Sequence, residues 1–307
     1  MKKLALAFLL ITFCHSLMAQ DDADTTYWTK GGVLGINFSN VGLTNWAAGG
    51  VNSLSGVGLI SLSANYKRDK ATWDNTLDLG YGLLKQADSD VFKSDDKIEL
   101  NSKYGRPFND NWYYSALLQF KTQFAPGFAN PGDTVNISDF LAPGYMVLAV
   151  GADYKPNDKL TVLIAPATLK LTFVQDQDLA DAGAFGVEAA TFDDQGTLIT
   201  PGENLRQEFG GFLKIAYKTD LMENVKLESK ADFFSNYLVD PDHIDVNWEN
   251  LISMQVNKYI SASLTTHLIY DHDIDIGIDT NNDGAVDLSG PRTQFKYVFG
   301  LGFTYKW

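Results

Sequence analysis

Hydrophobic and polar residues alternate along most of this chain. The last segment shows it most clearly. From Phe295 to Trp307 the odd positions are Phe295, Tyr297, Phe299, Leu301, Phe303, Tyr305 and Trp307, and the even positions are Lys296, Val298, Gly300, Gly302, Thr304 and Lys306. Side chains on a β-strand point alternately to opposite faces, so this segment presents one apolar row and one small or polar row. The pattern recurs in Trp73–Leu83, Trp112–Phe120, Val225–Phe233 and Ile244–Met254. Strands are expected near 31–40, 53–68, 71–86, 96–107, 111–124, 143–155, 160–174, 207–219, 225–237, 244–256, 259–272 and 293–307.

The connections between these segments alternate strictly between short and long. Short polar turns fall at Asp69-Lys70, Asn109–Asn111, Pro156–Asp158, Met222–Asn224 and Asn257-Lys258. Longer acidic or Gly/Pro-rich links fall near 41–52, 86–95, 125–142, 175–206, 238–243 and 273–292. Tight turns at one end and long loops at the other are the rule for outer-membrane barrels. The expected fold is therefore all-β: one transmembrane, antiparallel, up-and-down β-barrel of about twelve strands. Long loops would face the exterior, and short turns with both termini the periplasm.

Composition supports this reading. Apolar residues make up 45% and aromatics 13%, yet no segment after residue 19 holds eighteen consecutive apolar residues. Helical spans are excluded, while a barrel spreads apolar residues over alternate positions. Residues 1–19 combine Lys2 and Lys3, an apolar run from Leu4 to Phe13 and small residues at Ser16 and Ala19. That is the form of a secretory signal peptide. Residues 20–29 then read as a short periplasmic lead and 30–307 as the barrel. The single cysteine, Cys14, lies within the signal, so disulfide and thiol chemistry are not expected of the mature chain. The formal charge of −14 includes Lys2 and Lys3, and without them it is −16. Such a charge repels nucleic acid and favours cations or basic ligands.

The final strand, with Gly300, Gly302, Phe303, Tyr305 and Trp307, resembles the C-terminal assembly signal of outer-membrane barrels, with Trp in place of the usual Phe. The resemblance implies recognition by the barrel-assembly machinery. The stretch NFSNVGLTNWAAGG (Asn37 to Gly50), followed by SLSANYKRDKATWDNTLDLGYG (Ser61 to Gly82), resembles a family of uncharacterised outer-membrane barrels known as a domain of unknown function. That implies a fold and a location, with outer-membrane lipid and lipopolysaccharide as surroundings. It carries over no substrate and no catalytic residue.

Three groups of residues carry candidate chemistry. Asp279, Asn281, Asp283, Ala285 and Asp287, with Gly284 at the turn, match the first nine positions of an EF-hand-type calcium loop. Gly290 replaces the usual twelfth-position carboxylate, and the plain alternative is an acidic external loop. His267 and Asp271 are expected on the lumen side of one strand, next to His272 and Asp273, with Asp242-His243 in another external loop. A His–Asp pair can orient an imidazole for proton transfer, though such pairs are more often ordinary polar groups. Finally, lumen rows mix signs, as in Asp74, Glu99, Lys103, Lys121, Lys170, Lys214, Asp232, Glu249 and Lys296. They read either as a cross-strand ladder or as a wet pore lining. The link from Gln175 to Arg206 contains DLADAGAFGVEAA, apolar enough to fold inward or form a short helix, and Trp46–Gly50 has the same character.

These features lead to a passive narrow porin-like channel or a structural barrel without cofactor. A barrel enzyme acting on lipid or lipopolysaccharide through His267 and Asp271 is the first alternative. A surface receptor or adhesin acting through its loops is the second. Oligomeric state is not legible in the residues.

Overall fold

The computed structural model describes residues 27–41, 52–86, 89–129, 131–257, 259–278 and 287–307. The signal segment, residues 20–26 of the lead, the Trp46 loop and residues 279–286 of the calcium-type motif lie outside the described residues.

Twelve long strands close into one ring. They are β1 (Trp28–Val41), β2 (Ser53–Arg68), β3 (Ala71–Gln86), β4 (Phe92–Asn109), β5 (Trp112–Thr122), β6 (Gly144–Tyr154), β7 (Leu160–Phe173), β8 (Leu205–Met222), β9 (Val225–Asn236), β10 (Ile244–Gln255), β11 (Ile260–Tyr270) and β12 (Gln294–Lys306). Each pairs antiparallel with its sequence neighbours, and β12 pairs with β1 to close the barrel. The alternating pattern is the cause, because every strand has one face for an apolar exterior and one for the interior. The expected strands are all present. β1 begins at Trp28, inside the stretch read as a periplasmic lead, and β4 begins at Phe92. The link before β4 thus spans residues 87–91 and is no longer than the 155–159 turn, so the strict alternation of lengths fails there.

Local chemistry sets the tight turns. Asp69 and Asn224 adopt left-handed φ of 52° and 62° in the β2–β3 and β8–β9 turns. Asp and Asn tolerate that conformation better than most residues, and hairpin turns of two residues require it. Pro166 interrupts β7. It has no register partner on either neighbour, since Thr168 pairs Gly210 and Ala165 pairs Phe212 on one side, and Ala167 pairs Val150 and Ile164 pairs Ala152 on the other. A residue without N–H is tolerated in a sheet at such a bulge. Thr168 Oγ1 donates to the Ala165 carbonyl at 3.2 Å across it. Gly151 faces the bulge from β6, where a Cβ would fall on the backbone of Ile164.

The exterior is apolar. Phe295, Tyr297, Phe299, Leu301, Phe303 and Tyr305 all point outward and are exposed, Tyr297 by 70%. Aromatic rings gather at the end where β1 begins and β12 ends: Trp28 lies against Tyr66 and Trp73 in tilted contacts, Phe108 stacks on Tyr114, and Tyr305 on Trp307. This is the interfacial girdle of a membrane barrel. The closing seam is short. Among the described residues, β1 and β12 share register from Val33–Lys306 to Phe38–Leu301, whereas β2 and β3 pair from Ser53–Gln86 to Arg68–Ala71. Gly32 and Trp307 extend the seam by exchanging backbone hydrogen bonds of 3.0 and 3.1 Å.

The long link between β7 and β8 covers part of the opposite mouth. It contains helix α1 (Gln177–Asp181), capped by the Asp176 side chain, and a 3-10 turn at Ala184–Gly186. Val174, Leu179, Ala180 and Val187 bury a small cluster against Ala142. Asn136 donates to Asp176 at 2.9 Å from the preceding long link. A cavity of about 590 Å³ is lined by Ala182–Val187, Arg206 and Asp273–Asp275, and Arg206 donates to the Gly186 carbonyl at 3.3 Å. The expected short helix is therefore present, and the link folds over the mouth toward the β11–β12 side.

Candidate functional site: the barrel lumen

Three different surfaces line the interior. On the β5–β9 side, the lumen-facing Leu117, Ala149, Leu163, Ala165, Phe212 and Phe234 form a buried apolar cluster. The bulge at Pro166 makes this possible. Above it the inward residues of β7 are the even-numbered Thr168, Lys170 and Thr172, and below it they are Leu163 and Ala165. Apolar side chains pack this part of the lumen, with Val147 against them.

The second surface is a charge network that crosses the lumen. Lys97 on β4 lies 2.7 Å from Glu99 and 3.2 Å from Glu249 on β10. In a ring of twelve, β4 and β10 stand diametrically opposite. Lys121 on β5 reaches the same two carboxylates at 3.8 and 3.9 Å. Asn101 and Gln119 donate to Glu99 at 2.9 and 3.2 Å. A second link, Lys296 to Asp95 at 3.3 Å, joins β12 to β4 nearer the loop end. Ladder pairs between neighbours also occur, including Lys214–Asp232 at 2.8 Å. At the other end Lys103 and Lys155 hold the buried Asp153 at 2.7 and 3.4 Å.

The third surface carries few charges. On β12, β1 and β2 the inward positions include Gly300, Gly302, Gly31, Gly35, Ser61 and Ser63, together with Val33, Asn37, Val57 and Leu59. Leu59 stands in the middle of this wall, between Gly35 and Gly80 of the neighbouring strands.

The candidate catalytic residues are not brought together. His267 sits on β11 facing the lumen, where its Nε2 meets Asn247 Oδ1 at 2.5 Å and Glu249 at 3.7 Å. Asp271 lies 3.6 Å from Lys170. The carboxylate beside His267 is thus Glu249, and Asp271 belongs to another group at the mouth. There Lys170 contacts Asp245 at 2.6 Å and Glu208 at 3.2 Å, while Arg206 pairs with Glu208 at 3.1 Å and with Asp273. Ligand oxygens of Asp245, Asp271 and Asp273 lie within 4.8 Å of one another. Of the calcium-type motif, only Asp287 falls among the described residues, and it has an interaction of its own.

Sequence reasoning found the charged rows but overlooked Lys97, Asp153 and Glu208. The signal for Lys97 was present, because it shares the parity of Glu99 on one strand. Its partner was not legible, since no pattern along a strand reports what faces it across the ring.

A closed antiparallel barrel with an apolar exterior and a polar, partly filled interior defines the transmembrane β-barrel class. Residues 38–128 match a family described as a protein of unknown function (DUF3078). No curated protein sequence matches the chain. Among solved structures, the chain is similar to an outer membrane channel from Pseudomonas putida F1, at 12% identity and TM-score 0.39, covering 94% of this chain and 100% of that one. It is also similar to the translocator domain of the autotransporter NalP from Neisseria meningitidis, at 12% identity and TM-score 0.36, covering 98% and 97%. The NanC porin shows 8% identity and TM-score 0.36, covering 89% and 98%.

Proposed function

We propose that this protein is an outer-membrane barrel that works as a narrow passive conduit for small polar solutes, without cofactor. Both termini lie in the periplasm in this reading, and the long links face outward. The aromatic girdle at the end bearing the termini and the secretory signal read from the sequence support that placement. The observation that carries the conduit reading is the run of Gly and Ser positions on the lumen side of β12, β1 and β2, interrupted at Leu59, beside a charge network. A passage lined by small residues on one side and by fixed charges on the other is wet and selective for size and charge.

The cross-lumen contact and the apolar cluster favour a second reading, a filled structural barrel. Conductance of the purified protein in planar lipid bilayers separates the two. Small, stable single-channel steps are expected. Silence from the wild type, together with silence from a variant lacking both Lys97 and Glu249, overturns the conduit. The enzyme reading has less support, since His267 is held by Asn247 and Glu249 and is not paired with Asp271. Weak calcium binding by Asp279, Asn281, Asp283, Ala285 and Asp287 remains part of the proposal for the external face.

A further inference from the structure

The outer wall carries a groove on the β3–β6 side. Alternate residues of these strands face outward. One row across the wall is Trp73, Tyr104, Ala116 and Val150, and the next is Asn75, Ser102, Leu118 and Leu148. Ala116 is the smallest member of its row and is exposed, between the larger Tyr104 and Val150. The bulk it lacks leaves a mainly apolar groove of about 560 Å³, walled by Trp73, Tyr104, Leu118, Leu148 and Val150. That volume falls in the range of small-ligand sites, about 300–1,000 Å³.

The polar atoms of this wall are satisfied within it. Trp73 Nε1 donates to Ser102 Oγ at 2.8 Å, and Ser102 Oγ donates to Asn75 Oδ1 at 2.7 Å. Asn75 Nδ2 donates to the Ala64 carbonyl at 2.9 Å. Polar groups that face hydrocarbon must find partners inside the protein. The same bonds hold the Trp73 indole as a fixed side of the groove.

A cation stands at one end. Arg106 follows Tyr104 on the outward face of β4, pairs in register with Tyr114 and is exposed. Among the described residues it has no carboxylate partner. Phe108 stacks on Tyr114 beside it, with centroids 4.3 Å apart. Arg106 therefore lies at the level of the aromatic girdle, where lipid head groups sit. An unpaired guanidinium next to an apolar groove complements an amphiphile with an anionic head.

We propose that this groove is a binding site for one anionic glycerophospholipid. One acyl chain lies over Ala116, between Tyr104 and Val150, and the head-group phosphate is held by Arg106. The planar fork of guanidinium donors matches phosphate oxygens, and the chain gains apolar contact with a wall that is already in place. The assignment rests on the membrane placement proposed above, in which the groove faces the leaflet nearer the periplasm.

The test is native mass spectrometry of the refolded barrel, released from a neutral detergent after addition of phosphatidylglycerol or phosphatidylcholine. One phosphatidylglycerol per chain should be retained, in preference to phosphatidylcholine. Arg106→Gln should reduce that preference by about fivefold, the effect of one basic residue at a charged membrane surface. Arg68→Gln, on the same rim at the β2–β3 turn, should leave it unchanged. Ala116→Phe should fill the groove and reduce retention of both lipids. Equal retention of the two lipids by the wild type overturns the proposal without need of any variant. Unchanged retention in Arg106→Gln or in Ala116→Phe, or an equal loss in Arg68→Gln, also overturns it. A dimer in place of bound lipid would give the groove to a second copy of the chain and overturn it too. The boiling-dependent shift in gel mobility reads the membrane placement separately. A barrel that shows the shift and retains no lipid overturns the lipid site alone, and a protein without the shift overturns both.

Discussion

Lys97 and Glu249 meet at 3.2 Å across the width of the barrel, from strands on opposite sides of the ring. This contact divides the lumen at its level. Removing both partners, as in Lys97→Ala with Glu249→Ala, should raise single-channel conductance by about twofold or more, because it widens the passage without leaving one charge unpaired. Removing Glu249 alone leaves Lys97 and Lys121 with Glu99 as their one shared carboxylate, and should shift ion selectivity toward anions. Reversal potentials in a salt gradient read that shift, and an unchanged potential would contradict it.

The Gly- and Ser-bearing wall makes an opposite prediction. At Gly35 a side chain would have room, since its Cβ would meet only Leu59 at 3.8 Å. Gly35→Phe should therefore fold and lower conductance, by about half or more if the passage runs there. Ala149→Val, on the packed side, should leave the conductance of folded protein unchanged. Equal effects at both sites would show that the passage runs elsewhere.

The seam sets a stability prediction. The Trp307 indole occupies the space that a Gly32 Cβ would need. Gly32→Val should lower stability by about 1–3 kcal/mol, the usual cost of overpacking. The boiling-dependent shift in gel mobility should then occur at a lower temperature. A variant with the wild-type transition would mean that the indole moves aside without cost.

The mouth cover should loosen in acid. The Asn136 amide, followed by the Leu179 backbone N–H, holds the Asp176 carboxyl below the usual carboxylate range. A carboxyl whose folded value is depressed stabilises above its unfolded value, near pH 3.9, and loses that contribution as pH falls through the folded one. Pepsin cleavage within residues 175–204 should rise as pH falls below about 3.9, and Asp176→Ala should abolish the pH dependence of that cleavage. A steady cleavage rate in the wild type across that range would sink the idea.

The calcium expectation has its own check. Calcium titration of the wild type and of Asp283→Ala should differ, with affinity in the range of about 10⁻⁴–10⁻³ M expected of extracellular sites. Identical heats would remove it.

The sequence carries the strands well, because alternation such as Phe295–Trp307 reports directly which face meets lipid. It fails where parity itself changes. Pro166 shifts β7 by one position, so Leu163 and Ala165 turn inward to build an apolar cluster that a continuous alternation would place elsewhere. The short helix at Gln177–Asp181 was legible from its apolar run. The stacking of His243 on His272 was not, because the two residues lie on separate links and only the closed ring brings them together.

The short pairing of β1 with β12 gives the ring a preferred place to tear. Among the described residues, six register pairs plus the Gly32–Trp307 exchange hold this joint, against sixteen between β2 and β3. Under heat or pulling force the circle should unzip there first and leave the rest as a connected meander. Amide protons of Val33–Phe38 that point at β12 would then exchange with solvent before those at any other strand pair.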